Sequence, residues 1–294
     1  MKCRFCKSEL NLKMADLGIT APSNSYILKK DINKNENKYP LRVYVCEKCW
    51  LTQTEDFADA GEFFSQDYAY FSSYSSSWLD HCKKFSKDII KDYKLDDNSL
   101  IVEVASNDGY LLKNFQERNI PCLGIEPTES TAKISRSKGI KTLDVFFGEI
   151  EAIKIKKEFG KADLIIANNV LAHVPDINDF IRGFKVLLKS NGLATFEFPH
   201  VLELIKHSQF DTIYHEHFSY LSLVTTKNIL NKNGLDIFKV EKINTHGGSL
   251  RIYVKIKDCN NFIIDNSVKD TITEEINFGI KNREMYLEFQ KDID

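Results

Sequence analysis

The chain has 294 residues, 43% of them hydrophobic, and a formal net charge of −2. That supplies a core for one large domain or two smaller ones, and the near-neutral charge makes no electrostatic case for a nucleic-acid partner. The N-terminus MKCRFCKSEL lacks the apolar stretch of a signal peptide. No apolar run approaches the ~20 residues of a spanning helix, so a cytoplasmic protein without a membrane partner is expected.

Residues 1–75 read as a separate unit, with two close cysteine pairs, a solvated polar run KKDINKNENK and a short strand in LRVYVC. The seven cysteines are an odd count, and in a reducing compartment closely spaced pairs favour a metal over disulfides. Cys3-x-x-Cys6 and Cys46-x-x-Cys49 are two knuckles. Each such turn sets two thiolates on one side of a metal, and two turns complete a closed tetrahedral shell with no position left for water. Structural zinc on Cys3, Cys6, Cys46 and Cys49 is therefore expected, against the alternative of a redox-active pair. Cys82, Cys122 and Cys259 read as core residues.

Residues 80–94 have helical spacing, and strands then alternate with helices. LIVEVAS, PCLGIEP, IKTLDVF, ADLIIANNV and LATFEFP read as strands; GYLLKNFQERN, ESTAKISRSKG and INDFIRGFKVLLKSNG read as helices, with Gly192 at a helix C′ position. Such alternation implies βαβ units and a parallel sheet. Period-2 segments around Gly247 and Gly248 predict a hairpin at the sheet's end. In the tail, Val268, Ile272, Ile276 and Ile280 recur at helical spacing, with Gly279 inside the pattern. That amphipathic helix needs a partner for its apolar face: its own domain, a second copy, or a separate C-terminal fragment.

VEVASNDGYLL ends a buried strand in a tight turn of small residues, Ser106-Asn107-Asp108-Gly109. Such turns let a ligand approach the backbone at the carboxyl end of a strand. There is no G-x-G-x-x-G and no phosphate-loop lysine, so a pyrophosphate cradle is poorly supported. Glu126 ends the next strand, where an acid accepts ribose hydroxyls; the competing account is a solvated strand end. The combination resembles the S-adenosylmethionine (SAM) site of Rossmann-like methyltransferases. That resemblance implies cofactor contacts at Glu103, Ala105, Ser106, Asn107, Asp108, Gly109, Glu126 and Pro127, and at Phe147, for which core packing is an equal account.

Upstream, DYAYFSSYS interleaves Tyr68, Tyr70, Phe71 and Tyr74 with small polar residues, suited to a sugar and a base or, for Phe71 above all, to an inter-domain seam. Downstream, three features follow in order: NNVLAHVPD, YHEHFSYLS and HGGSLR. With the knuckles and EVASNDGYLL they resemble the nucleotide-sugar C-methyltransferases, which methylate carbon 3 of an NDP-4-keto-deoxysugar. The resemblance covers about residues 1–260. It implies a zinc-binding, substrate-contacting domain at 1–75, a SAM-binding Rossmann-like methyltransferase domain at 76–258, and a linking helix at 259–294 that opens a C-terminal domain this chain lacks.

A hydrogen beside a ketone is acidic enough for an enzyme to remove, given a base near neutral pKa and a donor for the enolate oxygen. His217 is the candidate base on its ordinary pKa near 6.5, and the resemblance points to the same position. Glu216 is placed to orient a neighbour or, protonated, to donate; Tyr214 offers a phenol to an oxyanion. A metal on His215 and His217 has no third ligand nearby in sequence. The resemblance also puts Asn168 and Asn169 against the cofactor, and His173 and Tyr68 against the sugar; the plainer accounts are a helix cap for Asn168 and a packed surface histidine for His173. Arg251 suits a phosphate or an ordinary surface strand. The rival readings are an O- or N-methyltransferase acting on a small molecule or sugar, and a non-catalytic zinc-and-Rossmann interaction module.

Overall fold

A computed structural model describes residues 1–23, 27–57 and 72–294. The expected substrate residue Tyr68 lies outside them, as do Tyr70 and Phe71. The N-terminal unit carries β1 (Leu12–Thr20), β2 (Tyr39–Val45) and β3 (Thr52–Thr54). The long helix α1 (Ser76–Asp92) follows, capped by the Ser75 hydroxyl.

The large sheet is built from β4 (Ile101–Val104), β5 (Cys122–Ile125), β6 (Thr142–Leu143), β7 (Ala162–Asn168), β8 (Leu188–Pro199), β10 (Leu235–Ile243) and β11 (Ser249–Ile256). Its order is β10-β11-β8-β7-β4-β5-β6. β5, β4, β7 and β8 run parallel, with β6 parallel to β5 at one edge. The antiparallel β10–β11 hairpin closes the other edge. Because β4 has β5 on one side and β7 on the other, the sheet has a topological switch point at β4, where a ligand crevice opens beyond the carboxyl ends.

The connecting helices are α2 (Lys113–Gln116), α3 (Glu129–Ser137), α4 (Glu149–Phe159) and α5 (Ile177–Leu187), then α6 (Val201–Lys206) and α7 (Leu223–Lys232). α2 is a single turn where GYLLKNFQERN predicts a full helix. Tyr110, Leu111 and Leu112 are buried in succession, a pattern that a one-sided helix cannot produce. Gly192 is not a helix C′ residue but part of β8. A Cβ there would lie 2.9 Å from the carbonyl oxygens of Ala162 and Asp163, so glycine is required by the close approach of two backbones.

The tail is two helices, not one: α8 (Asn266–Phe278) and α9 (Arg283–Ile293), divided by Gly279 at φ 111°. Both fold back. α8 packs on β10 and α7, and α9 on β1. Tyr286 and Phe289 are buried in a core shared with the N-terminal strands and α6, and Tyr286 stacks on Trp50. The buried Glu275 of α8 accepts from Leu223 N and Val224 N at the start of α7 and pairs with His200 Nε2 at 2.7 Å. The chain's own core thus covers part of the tail's apolar face, burying Val268, Ile280, Tyr286 and Phe289 and leaving Ile276 exposed.

Candidate active site

The carboxyl ends of β4, β5, β7 and β8 open into one cleft of about 1120 Å³. After Val104 the chain passes through three left-handed residues, Ala105 (φ 58°), Asn107 (φ 49°) and Gly109 (φ 78°). A Cβ on Gly109 would meet Ile140 Cδ1 at 2.6 Å and Ser135 Oγ at 2.7 Å. The turn is tied to Glu126, whose two carboxylate oxygens accept from Asn107 N and Thr128 N, both at 2.9 Å. Burial pushes the Glu126 carboxyl above its ordinary value, opposed by those donors. Each carboxylate oxygen has a second lone pair, for which the Thr128 and Thr131 hydroxyls, which also lower the Glu126 pKa, compete with a ligand.

Across the crevice, Asn168 ends β7 and Asn169 follows at φ 54°, its N–H donating to Glu197 O at 2.6 Å. The Asn168 amide N and O and Asn169 Oδ1 are buried without a partner among the described residues. Unpartnered donors and acceptors on a cleft wall are what a polar ligand would satisfy. Facing them, an acid and a backbone turn stand at the switch point, so the residues present fit a nucleoside cofactor.

Of the expected cofactor residues, Ala105, Asn107, Glu126, Pro127, Phe147, Asn168 and Asn169 line the cleft; Glu103, Ser106, Asp108 and Gly109 do not. Glu103 is buried in β4, its carboxyl raised well above the ordinary range by burial and by the neighbouring Glu126 and Asp108. Asp108 pairs with Lys138 Nζ at 3.0 Å. These two residues underlie the turn. Phe147 packs edge-on against Phe180 and Phe184, so it serves core and cleft together.

The other end of the cleft holds His173, Tyr214 and His217. YHEHFSYLS is a tight turn leading into the short strand β9 (Ser219–Tyr220), with His217 N donating to Tyr214 O at 3.1 Å. The turn brings the Tyr214 and His217 ring centroids to 4.0 Å, the planes tilted by 34°. His217 Nδ1 faces the Thr212 carbonyl at 3.0 Å. A carbonyl only accepts, so Nδ1 carries the proton and Nε2 presents its lone pair to the Tyr214 hydroxyl at 2.8 Å. Burial, then the neighbouring His173, holds the His217 pKa well below 6.5. His173 is similarly oriented, Nδ1 donating to Glu216 O at 2.9 Å, and burial lowers its pKa to about 4. Glu216 contributes that carbonyl; its buried side chain is not among those lining the cleft. His215 turns away to Tyr39 O, so it does not share a metal with His217.

The four cysteine sulfurs Cys3, Cys6, Cys46 and Cys49 lie within 4.8 Å of one another. Tetrahedral zinc with Zn–S near ~2.3 Å needs this convergence. Among the described residues it is the one group of three or more His, Cys, Asp or Glu whose ligand atoms converge. The first knuckle precedes β1 and the second joins β2 to β3 of an antiparallel sheet ordered β1-β2-β3-β9, so the strand that follows His217 completes the N-terminal sheet.

Arg251 is neither a phosphate ligand on the surface nor an ordinary strand residue. It is buried on β11, where Nη2 bonds Glu197 Oε2 at 2.7 Å and Nη1 meets Glu241 at 3.4 Å. Burial would raise the Glu197 carboxyl, but His81 and the Arg251 charge outweigh it and hold it low. Among the cleft residues that the sequence reading does not single out are Trp78, stacked on His81 at 5.0 Å, and His246, edge-on to Trp78 at 5.5 Å. HGGSLR drew attention to its glycines and arginine, and no local pattern pointed to its histidine.

Comparison with known proteins fits this arrangement. Residues 3–64 match a zinc binding domain, 75–240 a methyltransferase domain and 244–294 a C-methyltransferase C-terminal domain. The last match takes in β11, α8 and α9, which the sequence assigns partly to a helix preceding such a domain. The chain is 30% identical over 288 residues to C-methyltransferase NovU of Streptomyces niveus, covering 98% of this chain and 68% of that protein. Ubiquinone biosynthesis O-methyltransferase of Bradyrhizobium diazoefficiens is 24% identical over 115 residues, 38% of this chain and 44% of its own length. The crystal structure of the PH0226 protein from Pyrococcus horikoshii OT3 has a TM-score of 0.53 at 13% identity, covering 69% of this chain and 100% of that one, a likeness of fold alone. No helix among the described residues is long and apolar enough to cross a membrane. With a switch-point cleft suited to SAM, a Cys₄ knuckle pair suited to zinc and these matches along its length, the chain belongs to the SAM-dependent C-methyltransferase family with an N-terminal zinc-binding domain.

Proposed function

We propose that the protein methylates the carbon beside the ketone of a nucleotide-linked 4-keto-deoxysugar. The observation that carries this reading is the Tyr214–His217 pair, which shares one cleft with the Glu126–Asn168 end. Removing a proton from carbon needs a neutral base. The Thr212 carbonyl supports that assignment by holding the His217 proton on Nδ1 and leaving Nε2 as the acceptor; burial keeps the ring neutral before it accepts a proton but makes it a weaker base than the ordinary near-neutral histidine expected from the sequence.

In the first step the C–H proton leaves toward His217 Nε2. The Tyr214 hydroxyl lies on that lone pair, so the phenol passes its own proton to Nε2 as it takes up the substrate's. The electron pair of the C–H bond moves to the ketone oxygen, making an enolate. The enolate carbon then forms the new C–C bond and the ketone is restored. SAM held at the Glu126–Asn168 end of the cleft would supply the electrophilic methyl, its sulfonium leaving as a neutral thioether. Glu126, Asn107, Asn168, Asn169 and His173 all line the cleft, which supports giving the first two the ribose end, the two asparagines the cofactor and His173 the sugar. Tyr68 is assigned to the ketone side on the resemblance alone.

The test is incubation with methyl-labelled SAM and a panel of NDP-4-keto-deoxysugars, locating the label by NMR. Label on the carbon next to the ketone, together with loss of turnover in His217→Ala at unchanged SAM affinity, is the expected result. A product labelled on oxygen would replace the proposal with O-methyl transfer, the reading favoured by the partial likeness to an O-methyltransferase. Full turnover by His217→Ala would remove that residue from the base role.

A further inference from the structure

The geometry points to Arg4 and Thr54 as positioning residues through which the zinc-binding module holds His217 in place. The inference rests on His217 being the base. His217 sits in an irregular turn with no helix or strand of its own, so its orientation depends on what grips the backbone around it. Two residues of the N-terminal unit do this. Thr54 Oγ1 donates to His217 O at 3.0 Å. Arg4 Nε donates to Phe218 O at 3.1 Å, and Thr54 N reaches the same carbonyl at 3.3 Å.

Arg4 is buried and bridges both sides of this junction. Its Nη2 donates to Thr54 O at 3.2 Å and pairs with Asp56, while the guanidinium lies 4.7 Å from the Phe218 ring centroid. The planar fork of arginine can serve two carbonyls at once in this way; the single ammonium of lysine cannot reproduce it. Arg4 also stands inside the first knuckle, between Cys3 and Cys6. Its N–H donates to Gln53 Oε1 at 2.9 Å, and Gln53 Nε2 reaches Cys3 Sγ at 3.4 Å. The path from thiolate to base is therefore short and continuous: Cys3, Gln53, Arg4, the Phe218 carbonyl, His217. The β3–β9 pairing, Thr52 with Tyr220 and Gln53 with Ser219, would by itself dock the module. The Thr54 N bond extends that ladder by one position, and the two side-chain donors, Thr54 Oγ1 and Arg4 Nε, are extra to it and fall on the base and its neighbour.

The test uses the full chain with Thr54→Val, which keeps the branched volume and deletes the hydroxyl, and Arg4→Lys, which keeps the charge and deletes the fork. Zinc content, SAM affinity by calorimetry, kcat and KM, and the NMR titration of the His217 ring are measured on each. Both variants are expected to keep zinc and wild-type SAM affinity and to lose about 10- to 100-fold in kcat with little change in KM. The His217 titration should move toward the ordinary histidine value as the turn opens to water. Wild-type kcat and wild-type His217 titration in both variants would overturn the inference. So would loss of zinc together with activity, which would make the two residues fold determinants only. If the substrate assignment fails instead, the His217 titration still decides the positioning question by itself.

Discussion

Glu126→Gln is the substitution whose effect follows most directly from the structure. The Glu126 carboxylate accepts one backbone N–H on each oxygen, from Asn107 and Thr128 at 2.9 Å. Its remaining lone pairs are the acceptors proposed for the two ribose hydroxyls. A hydrogen bond to a charged group contributes about 1.5–3 kcal/mol. Glutamine removes the charge and turns one oxygen into an NH₂ that opposes a backbone N–H it must face. Losing one ribose acceptor and weakening the other amounts to about 2–4 kcal/mol, or roughly 30- to 1000-fold in Kd for SAM. Titration calorimetry with SAM and with its demethylated product measures this, and urea unfolding checks that the turn survives. Burial raises the Glu126 pKa, so wild-type SAM affinity should also begin to fall with decreasing pH above the ordinary glutamate value of 4.5. A Glu126→Gln variant of unchanged unfolding midpoint with SAM affinity within threefold of wild type would refute the ribose assignment.

Other consequences are as specific. Gly109→Ala combines a strained φ of 78° with a Cβ 2.6 Å from Ile140 Cδ1; it should cost about 2–4 kcal/mol in urea unfolding and weaken SAM binding as the turn shifts. The purified protein should carry one zinc per chain by metal analysis, and Cys46→Ser should lose it and expose the β1–β3 region to protease, because a closed thiolate shell leaves no spare ligand. Since His217 titrates well below 6.5, its neutral, basic form persists as pH falls through that value. The acid limb of kcat/KM should therefore lie below pH 6.5, and an acid limb above it that disappears in His217→Ala would contradict this. For His173 the folded pKa of about 4 lies below the unfolded 6.5. The unfolded state binds the extra proton in that window, so stability should decline as pH drops from 6.5 toward 4, read as a falling urea midpoint.

The parts of this protein legible in the sequence were those whose signal is local. Two C-x-x-C turns announce four thiolates because the spacing itself sets their direction. A buried strand ending in Ser-Asn-Asp-Gly and a second strand ending in Glu126 mark a ligand crevice because parallel sheets present ligands where strands end. Where burial runs against periodicity, reading failed. Helix α4 was missed because Ile150 and Ile153 are exposed while Ala152 and Ile155 point inward. The full helix expected after Gly109 shrank to one turn because three successive side chains are buried.

What only the tertiary structure decided is how distant groups complete one another. Arg251 became an interior ion pair because β8 and β10 bring Glu197 and Glu241 to its side. The tail became two helices because the N-terminal sheet and α7 offered its apolar residues and Glu275 a surface to cover. The chemistry of YHEHFSYLS turned on the same fact. Residue types named His217 as a base, but which nitrogen holds its proton, and what grips its backbone, depend on a carbonyl five residues back and on a hydroxyl and a guanidinium from the other end of the chain. A one-dimensional pattern encodes periodicity and spacing; hydrogen-bond partners separated by 163 and 214 positions are fixed only when the sheets close.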